Sequence, residues 1–269
     1  MNEPVVDGPI GLFDSGFGGL TVARAVIDVL PAEDVVYIGD TGRYPYGSKT
    51  ADQILGYSRE LAHSLVEDFG AKMVVIACNS AASVSESALV AELGVPVIGV
   101  IEPGVGALVR ATVNNRVGVI GTVATVNSGT YQAQVAACGG HLHLTAAACP
   151  GFVEFVERGQ IAGEEVTVLA ERLLAPVKAA GVDALLLGCT HYPYLSGVIS
   201  EVMGDGVRIV SSADETAQVV REVLDAHGLR RSDGAGIHRF LSSGDLDTFV
   251  ELGRRLLGPE LDRAEHWAR

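Results

Sequence analysis

The stretch Leu186-Leu187-Gly188-Cys189-Thr190-His191-Tyr192-Pro193 joins a short apolar run to a thiol, a hydroxyl and an imidazole. A run of this kind that stops at polar groups is typical of a buried parallel strand and the loop after it. A similar transition occurs earlier in the chain, where residues 73–77 lead into Cys78-Asn79-Ser80. Ligands of open α/β sheets bind at the carboxyl ends of the strands. We therefore expect Cys78 and Cys189 each to lie at such an edge.

Short β-type runs alternate with segments of helical period along the chain, which is typical of a parallel sheet covered by helices. Two strands that end in cysteine predict two similar parallel-sheet α/β domains, which would face each other across a substrate cleft. We place the first, discontinuous domain at residues 1–99 together with residues 208–269. The second domain is expected at residues 100–207.

The individual elements follow from the same patterns. Predicted strands cover residues 9–13, 35–38, 73–77, 95–100, 116–120, 141–144, 184–187, 207–210 and 237–241. Predicted helices cover residues 20–30, 51–69, 80–93, 128–137, 152–158, 164–180 and 214–227, and a last helix ends near residue 257. Residues 42–48 are expected to form an irregular loop. The last residues, 262–269, are expected to fray.

Composition limits the classes of function. Of the 269 residues, 48% are hydrophobic and 19% are charged, a balance typical of a folded chain rather than a disordered one. The net charge of −14 disfavours direct contact with nucleic acid, which requires clustered Lys and Arg side chains. An anionic substrate is therefore expected to be held by local backbone donors.

The N-terminal residues lack the basic and apolar regions of a signal peptide, and no apolar run approaches the length of a membrane span. We therefore expect a cytoplasmic protein that makes no contact with a membrane. A reducing compartment favours free thiols over disulfides for the four cysteines, which are Cys78, Cys138, Cys149 and Cys189.

Polar or thiol side chains follow several of the predicted strands. They are Asp14, Asp40, Cys78, Thr122, Cys149, Cys189 and Ser211. Asp, Ser and Thr at such positions are often simple helix N-caps, so Thr122 and Ser211 are open to either interpretation. A lone cysteine is more often a small buried apolar residue than a nucleophile, and we interpret Cys138 and Cys149 as structural.

Two other motifs argue against a bound nucleotide or metal. The loop Gly16-x-Gly18-Gly19 lacks the spacing of a dinucleotide-binding loop and has no P-loop lysine. Its glycines are expected instead to let backbone N–H groups approach a small carboxylate. Cys189-x-His191 with the distant Cys78 does not match the paired spacing of zinc ligands, so we predict no metal site.

The two strand-end thiols are suited to proton transfer. Cys78 precedes a predicted helix, whose free N–H groups and dipole are expected to lower the pKa of the thiol. His191 lies two residues after Cys189 and is able to exchange a proton with it. Two such groups on opposite sides of one carbon would remove a proton from one face and return one to the other, which inverts a stereocentre.

Abstraction of a proton from an amino-acid α-carbon commonly relies on pyridoxal phosphate bound to a lysine. The chain has three lysines, Lys49, Lys72 and Lys178. Two are predicted to lie at the wrong end of their elements, and Lys49 has no phosphate-binding companion. A mechanism without a cofactor is therefore favoured.

Taken together, the motifs resemble glutamate racemase, of the aspartate/glutamate racemase superfamily. In chain order they are Asp14-Ser15-Gly16-x-Gly18-Gly19, Asp40-Thr41, Pro45-Tyr46-Gly47, Cys78-Asn79-Ser80-Ala81, Cys149-Pro150 with Phe152-Val153 and Glu157, and Gly188-Cys189-Thr190-His191-Tyr192-Pro193. The family more usually has Thr where this chain has Ser80. Serine keeps the hydroxyl, so we expect little change.

The resemblance implies a role for each matched residue. Cys78 and Cys189 would be the two acid/base thiols, with Asp14 supporting Cys78 and His191 supporting Cys189. The resemblance also implies that substrate contacts come from Asp14, Ser15, Tyr46, Gly47, Cys78, Asn79, Thr122, Cys189 and Thr190. Asp40 and Glu157 would be accessory acidic residues near the site.

The resemblance further implies two α/β domains that close over glutamate, a homodimer, and no cofactor. D-glutamate made in this way would supply peptidoglycan synthesis. Some members of the family also inhibit DNA gyrase, and the sequence does not test that activity here.

Other readings of the sequence stay open. A racemase of the same superfamily acting on aspartate or another small acid would share the thiols, and pocket length is not encoded in these motifs. A non-catalytic protein that binds an anionic amino acid would explain the loops but not two strand-end thiols. A thiol-disulfide oxidoreductase would require a C-x-x-C motif, which is absent. Arg43 is placed either to contact the ligand or to brace the loop at residues 42–48.

Overall fold

The apolar runs of the sequence become the strands of two separate parallel sheets in the computed structural model, which describes residues 7–268. The strands are β1 (Ile10–Asp14), β2 (Val35–Gly39), β3 (Met73–Ile76), β4 (Val97–Gly99), β5 (Arg116–Gly121), β6 (His143–Ala148), β7 (Ala184–Gly188), β8 (Arg208–Ser211), β9 (His238–Ser242) and β10 (Glu265–His266). Within the described residues, one sheet has the order β10-β9-β2-β1-β3-β4 and the other β6-β5-β7-β8. The predicted α/β class is confirmed.

Helices connect the strands. They are α1 (Leu20–Val29), α2 (Ala51–Glu67), α3 (Asn79–Glu92), α4 (Ile101–Ala111), α5 (Val123–Asn127), α6 (Thr130–Ala137), α7 (Phe152–Glu157), α8 (Glu164–Ala179), α9 (Ser196–Met203), α10 (Ala213–Ala226) and α11 (Leu246–Leu257). Short 3-10 turns occur at Tyr46–Ser48 and Tyr192–Leu195. No helix among residues 7–268 has both the length and the apolar character needed to cross a membrane.

The chain forms two compact units, one for each sheet. The first contains the described residues up to Val100 and those from Ala213 onward, and the second contains residues 101–212. Strand β8 pairs with β7, with Leu187 opposite Ser211, so residues 208–212 belong to the second unit. The return to the first unit therefore occurs at residue 213 rather than at the predicted residue 208. Residues 1–6 and Arg269 lie outside the described part of the chain.

The central strands are buried on both faces, since consecutive side chains of a strand point to opposite faces. Every residue of β1, β2, β3 and β7 is buried. Continuous apolar runs such as Ala184–Gly188 are what such strands require, since neither face meets water. The run after residue 73 and the run before Cys189 were recognisable in the sequence for this reason.

Helix α4 was not predicted, because Pro103 and Gly104 read as the end of a strand. Proline is tolerated in the first turn of a helix, where its missing N–H has no partner to lose. Gly104 allows close packing, since a Cβ there would lie 3.0 Å from the Ser212 Cβ and 3.3 Å from the Leu186 side chain. Both residues are therefore compatible with helix α4, and Gly104 lets that helix pack tightly on β7.

The C-terminal segment was expected to fray and instead is ordered through residue 268. Strand β10 pairs with β9, with His266 opposite Ser242. The Trp267 backbone N–H donates to the Ser242 carbonyl oxygen, and the Trp267 side chain is buried. A two-residue strand carries little pattern in the sequence, so only the tertiary contacts reveal it.

Candidate active site

The first sheet brings three predicted site residues to one edge. The N–H of Asp40 donates to the Asp14 carbonyl oxygen (2.9 Å), and the N–H of Ala77 donates to the Phe13 carbonyl oxygen (2.9 Å). The ends of β1, β2 and β3 are therefore side by side. Asp14, Asp40 and Cys78 follow or end these strands, as the sequence predicted, and Asp14, Asp40 and Cys78 are all buried.

Cys78 lies where β3 passes into α3. It is the residue before the helix, has extended backbone angles and makes no side-chain cap. Its thiol donates to the Ser15 hydroxyl across 3.6 Å, and the Gly16 N–H donates to Asp14 Oδ1 at 2.7 Å. The first turn of α3 places Asn79 beside the thiol in sequence, and its side chain is buried. Asp14, Ser15 and Cys78 thus form one buried cluster, and the buried Asn79 follows Cys78 directly.

The pKa of Cys78 differs from the expectation based on the helix N-terminus. Burial, followed by the nearby charge of Asp14, raises the pKa of Cys78 to about 12. Hydrogen bonds from the Ala81 backbone and from Ser15 lower it by less. The resting residue is therefore a thiol, and its thiolate would be a strong base.

Asp40 is a support of the loop after β2 rather than a free carboxylate. Its Oδ2 accepts hydrogen bonds from the Tyr46 hydroxyl and from Arg43 Nε (2.7 Å). Its Oδ1 accepts a hydrogen bond from the Ser243 hydroxyl (2.7 Å). Arg43 also pairs with Glu60. These contacts assign Arg43 the bracing role that the sequence left open.

The glycines of the loop at residues 16–19 permit close side-chain packing. A Cβ on Gly16 would lie 2.7 Å from the Tyr44 ring, and a Cβ on Gly19 would lie 2.5 Å from the Asp14 Cβ. The Gly16 N–H is used by Asp14. The sequence suggested approach of a ligand to this backbone, and the structure adds that Tyr44 and Asp14 approach it.

Replacing Gly19 by alanine is expected to lower the free energy of unfolding by about 1–3 kcal/mol and to lower activity. The added methyl group would meet Asp14, the Ala77 Cβ (2.9 Å) and the Tyr37 hydroxyl (2.9 Å), and all three residues are buried. Urea unfolding measures the change. Gly56→Ala is the control, since nothing lies within 4 Å of its Cβ in α2, and it should be stabilising by about 0.5–1 kcal/mol. Equal stability of Gly19→Ala and wild type would contradict this account.

The second sheet also collects predicted site residues at one edge. Gly121 of β5 is opposite Gly188 of β7, and the Cys149 N–H donates to the Gly121 carbonyl oxygen (2.9 Å). Thr122, Cys149 and Cys189 follow these strands directly. Thr122 caps α5, since its hydroxyl accepts a hydrogen bond from the Thr125 N–H (3.2 Å). Its structural interpretation is thereby supported, and its half-buried side chain stays at the edge.

Cys189 and His191 lie together in this unit. The Cys189 Sγ is 4.0 Å from His191 Nδ1, and Cys189, Thr190 and His191 are all buried. Burial lowers the pKa of His191 from 6.5 to about 4. The imidazole is therefore neutral near pH 7, and burial disfavours its protonated form.

Three aromatic residues around Cys189 were not predicted as site residues. The Tyr192 hydroxyl donates to the Cys149 carbonyl oxygen (3.1 Å), and the Phe152 ring packs edge-on against Tyr192 at 5.3 Å between centroids. The pKa of the buried Tyr131 phenol is raised by burial and by Cys189. Tyr192 and Phe152 stand within the quoted motifs, whereas Tyr131 has no local signal in the sequence.

The remaining candidates have simpler surroundings. Cys149 is buried, and burial raises the pKa of its thiol to about 12. Cys138 follows α6 and is exposed. Glu157 is the last residue of α7 and is half-buried. Within residues 7–268, no group of three or more His, Cys, Asp or Glu side chains is arranged to hold a metal ion.

The lowered pKa of His191 predicts a loss of stability in acid. The unfolded chain takes up this proton near pH 6.5, whereas the folded protein takes it up only near pH 4. The unfolded state therefore binds more protons between these values, and stability falls as pH is lowered from about 6.5 to about 4. Urea unfolding at several pH values should show a shallower decline for His191→Asn than for wild type. An identical pH dependence of the two proteins would contradict this assignment.

Comparison with known proteins identifies the family. The family model of Asp/Glu/hydantoin racemase matches residues 19–220, which is well over half of the chain. The chain belongs to the Asp/Glu/hydantoin racemase family. A curated glutamate racemase from Beutenbergia cavernae is 51% identical to this racemase-family chain. The alignment covers 95% of this chain and 91% of the relative.

Solved structures agree with this family assignment. A crystal structure of a glutamate racemase isoform from Bacillus anthracis superposes with a TM-score of 0.92 at 35% identity and covers 98% of each chain. A glutamate racemase from Francisella tularensis, solved in complex with D-glutamate, has a TM-score of 0.89 at 30% identity and covers 97% of each chain. The predicted resemblance to glutamate racemase is confirmed.

Proposed function

We propose that this racemase-family chain is a glutamate racemase that interconverts L- and D-glutamate with two thiols and no cofactor. The observation that carries the proposal is that each unit delivers a buried thiol with a polar partner to the carboxyl edge of its own sheet. Cys78 lies beside Asp14 and Ser15, and Cys189 lies beside His191. The glutamate racemases among its relatives support glutamate as the substrate.

In this mechanism, the two cysteines act on the same α-carbon. The Cys78 thiolate removes the α-proton from one face, the Cα–H electron pair moves toward the carboxylate of the substrate, and an S–H bond forms. The Cys189 thiol then gives its proton to the opposite face, so its S–H bond breaks and a new Cα–H bond forms. The pair begins as thiolate and thiol and ends as thiol and thiolate, which lets the reaction run in reverse.

The surroundings of the two thiols suit these roles. The α-proton of an amino acid is a weak acid, so its removal requires a strong base. Burial and Asp14 raise the pKa of Cys78. The higher pKa makes the thiolate a stronger base and lowers the fraction of Cys78 that is thiolate at neutral pH. When the reaction runs in the other direction, the Cys189 thiolate would be the base, with the neutral His191 beside it.

The remaining site residues are proposed to bind glutamate through local hydrogen-bond donors and acceptors. These are Ser15, Tyr46, Gly47, Asn79, Thr122 and Thr190, together with Asp14 and the two cysteines. Glu157 is proposed as an accessory residue. Asp40 is proposed to act through Tyr46 rather than on the substrate, because both of its carboxylate oxygens are engaged by the loop and by Ser243.

The cellular setting is part of the same proposal. A glutamate racemase would supply D-glutamate for peptidoglycan synthesis, and we propose a cytoplasmic homodimer without direct contact to nucleic acid. The net charge of −14 supports the last point.

Separate assays with L-glutamate and L-aspartate test the substrate. The circular dichroism signal of L-glutamate should decay in the absence of added pyridoxal phosphate. We expect kcat/KM for L-glutamate to be at least about 100-fold higher than for L-aspartate, a difference of about 2.7 kcal/mol in activation free energy. Faster reaction of aspartate would favour the superfamily alternative. Binding of glutamate without any decay would favour the non-catalytic alternative.

A further inference from the structure

The C-terminal segment of the first unit is attached to helix α2 through Trp267. The indole N–H donates to the Ser64 hydroxyl at 2.9 Å, and the backbone N–H donates to the Ser242 carbonyl oxygen at 2.8 Å. Strand β10 just before it pairs with β9. Trp267 is 7% exposed, so the segment contributes a buried aromatic ring rather than a loose tail.

Arg43 lies over this ring. Its guanidinium carbon is 4.2 Å from the Tyr57 ring centroid and 5.7 Å from that of Trp267. The same guanidinium donates from Nε to Asp40 and from Nη1 to Glu60. Aromatic faces attract a guanidinium and hold its plane, so Trp267 and Tyr57 fix the direction in which Arg43 donates.

Asp40 connects Arg43 to Tyr46. Its Oδ2 accepts hydrogen bonds from both Arg43 and the Tyr46 hydroxyl, and neither Asp40 nor Tyr46 is accessible to solvent. The Tyr46 ring also packs against Tyr57 at 5.6 Å between centroids. The orientation of Tyr46 therefore depends on groups that Arg43 and Trp267 hold in place.

The end of β9 supports the same loop from a second direction. The Ser243 hydroxyl donates to Asp40 Oδ1 at 2.7 Å and accepts the Gly42 N–H at 2.9 Å. The hydroxyls of Thr41 and Ser242 are 2.6 Å apart. The Ser242 carbonyl oxygen also accepts the Trp267 backbone N–H. Residues 242 and 243 therefore contact both the C-terminal segment and the loop after β2.

We propose that Arg43 and Trp267 are positioning residues that hold the loop at residues 42–48 in the conformation that binds substrate. This inference rests on the proposed function, in which Tyr46 and Gly47 of this loop contact glutamate. A buried carboxylate oxygen that accepts from both a guanidinium and a hydroxyl fixes the positions of the two donor side chains. The segment after residue 262 thereby has a role in the affinity for substrate.

Kinetics of Arg43→Gln test the proposal. We expect KM for L-glutamate to rise about tenfold, equivalent to about 1.4 kcal/mol, while kcat changes by less than about threefold. Arg59→Gln is the matched control, since Arg59 lies on helix α2, which also carries the Tyr57 and Glu60 partners of Arg43, and forms an exposed pair with Glu92. Its KM should stay within about twofold of wild type. A KM for Arg43→Gln as low as that of the control would overturn the proposal.

Trp267 is tested by graded replacement. Trp267→Ala removes the ring under Arg43 and should raise KM in the same way, whereas Trp267→Phe keeps an aromatic face and should restore most of the affinity. Equal KM values for the two variants would overturn the role of the ring. Thermal unfolding of both variants checks that the fold is kept.

A double-mutant cycle separates positioning from general stability. If Arg43 acts through Asp40 on Tyr46, the effects of Arg43→Gln and Tyr46→Phe on KM should be non-additive, whereas those of Arg59→Gln and Tyr46→Phe should add. Additive effects in the first cycle would overturn the proposal. A wild-type protein that fails to racemise glutamate would instead refute the proposed function, so the two failures are distinguishable.

Discussion

Alanine at either Cys78 or Cys189 is expected to abolish racemisation of L-glutamate, lowering kcat by about a thousandfold or more. Each thiol is proposed to serve one face of the α-carbon, and neither can replace the other. Loss of one thiol therefore stops inversion even though the second keeps its surroundings, which are Asp14 and Ser15 for Cys78 and His191 for Cys189. The decay of circular dichroism gives the rate.

Cys138→Ala is the matched control, because Cys138 is exposed and belongs to neither strand-end cluster. Its kcat should stay within about twofold of wild type, as for an ordinary surface substitution. Retention of a tenth or more of the activity by Cys78→Ala or by Cys189→Ala would refute the two-thiol mechanism.

Lys72→Met is expected to lower the free energy of unfolding by about 3–5 kcal/mol, because it leaves a buried carboxylate without its counter-charge. Lys72 Nζ lies 2.6 Å from Glu33 Oε2 and donates to the Leu229 carbonyl oxygen at 2.8 Å. Glu33 is 1% exposed, and its Oε1 accepts the Arg231 N–H at 2.7 Å. The pair thus connects the loop after α10 to the residues just before β2 and β3. Urea unfolding measures the stability that is lost with the pair.

The double variant Lys72→Met/Glu33→Gln distinguishes an unpaired charge from simple loss of packing. Glutamine is neutral and keeps an oxygen for the Arg231 N–H, so the double variant should recover most of the stability lost in the single one. Arg255→Met, which breaks an exposed pair with Glu251, should change stability by no more than about 0.5 kcal/mol. A double variant as unstable as Lys72→Met would contradict the explanation by charge.

The strand ends were predictable because each is a local event in the sequence. A continuous apolar run followed at once by Cys78 or Cys189 requires only that the run be buried on both faces, and burial of β3 and β7 meets that condition. The same logic located Asp14 and Asp40 at the ends of β1 and β2. The placement of these residues at sheet edges needed no knowledge of distant parts of the chain.

Properties that depend on distant contacts were not predictable. The helix start suggested a lowered pKa for Cys78, but burial and Asp14 raise it, and their strength depends on how β1 and β3 pack. The role of Arg43 depends on Trp267, which is more than 200 residues away in sequence. Trp267 lies in the segment that was expected to fray. The adjacent strand β10 was missed because a two-residue strand has no periodicity to detect.

The exchange of the α-proton of glutamate with solvent is the most direct test of the central claim. The protein is incubated with L-glutamate in D₂O without pyridoxal phosphate, and the α-proton signal is followed by NMR while circular dichroism follows the optical activity. The two-thiol account predicts that deuterium enters the α-position as the optical activity decays. A protein that binds glutamate but neither exchanges the α-proton nor racemises the substrate would contradict the account and leave the chain as a non-catalytic binding protein.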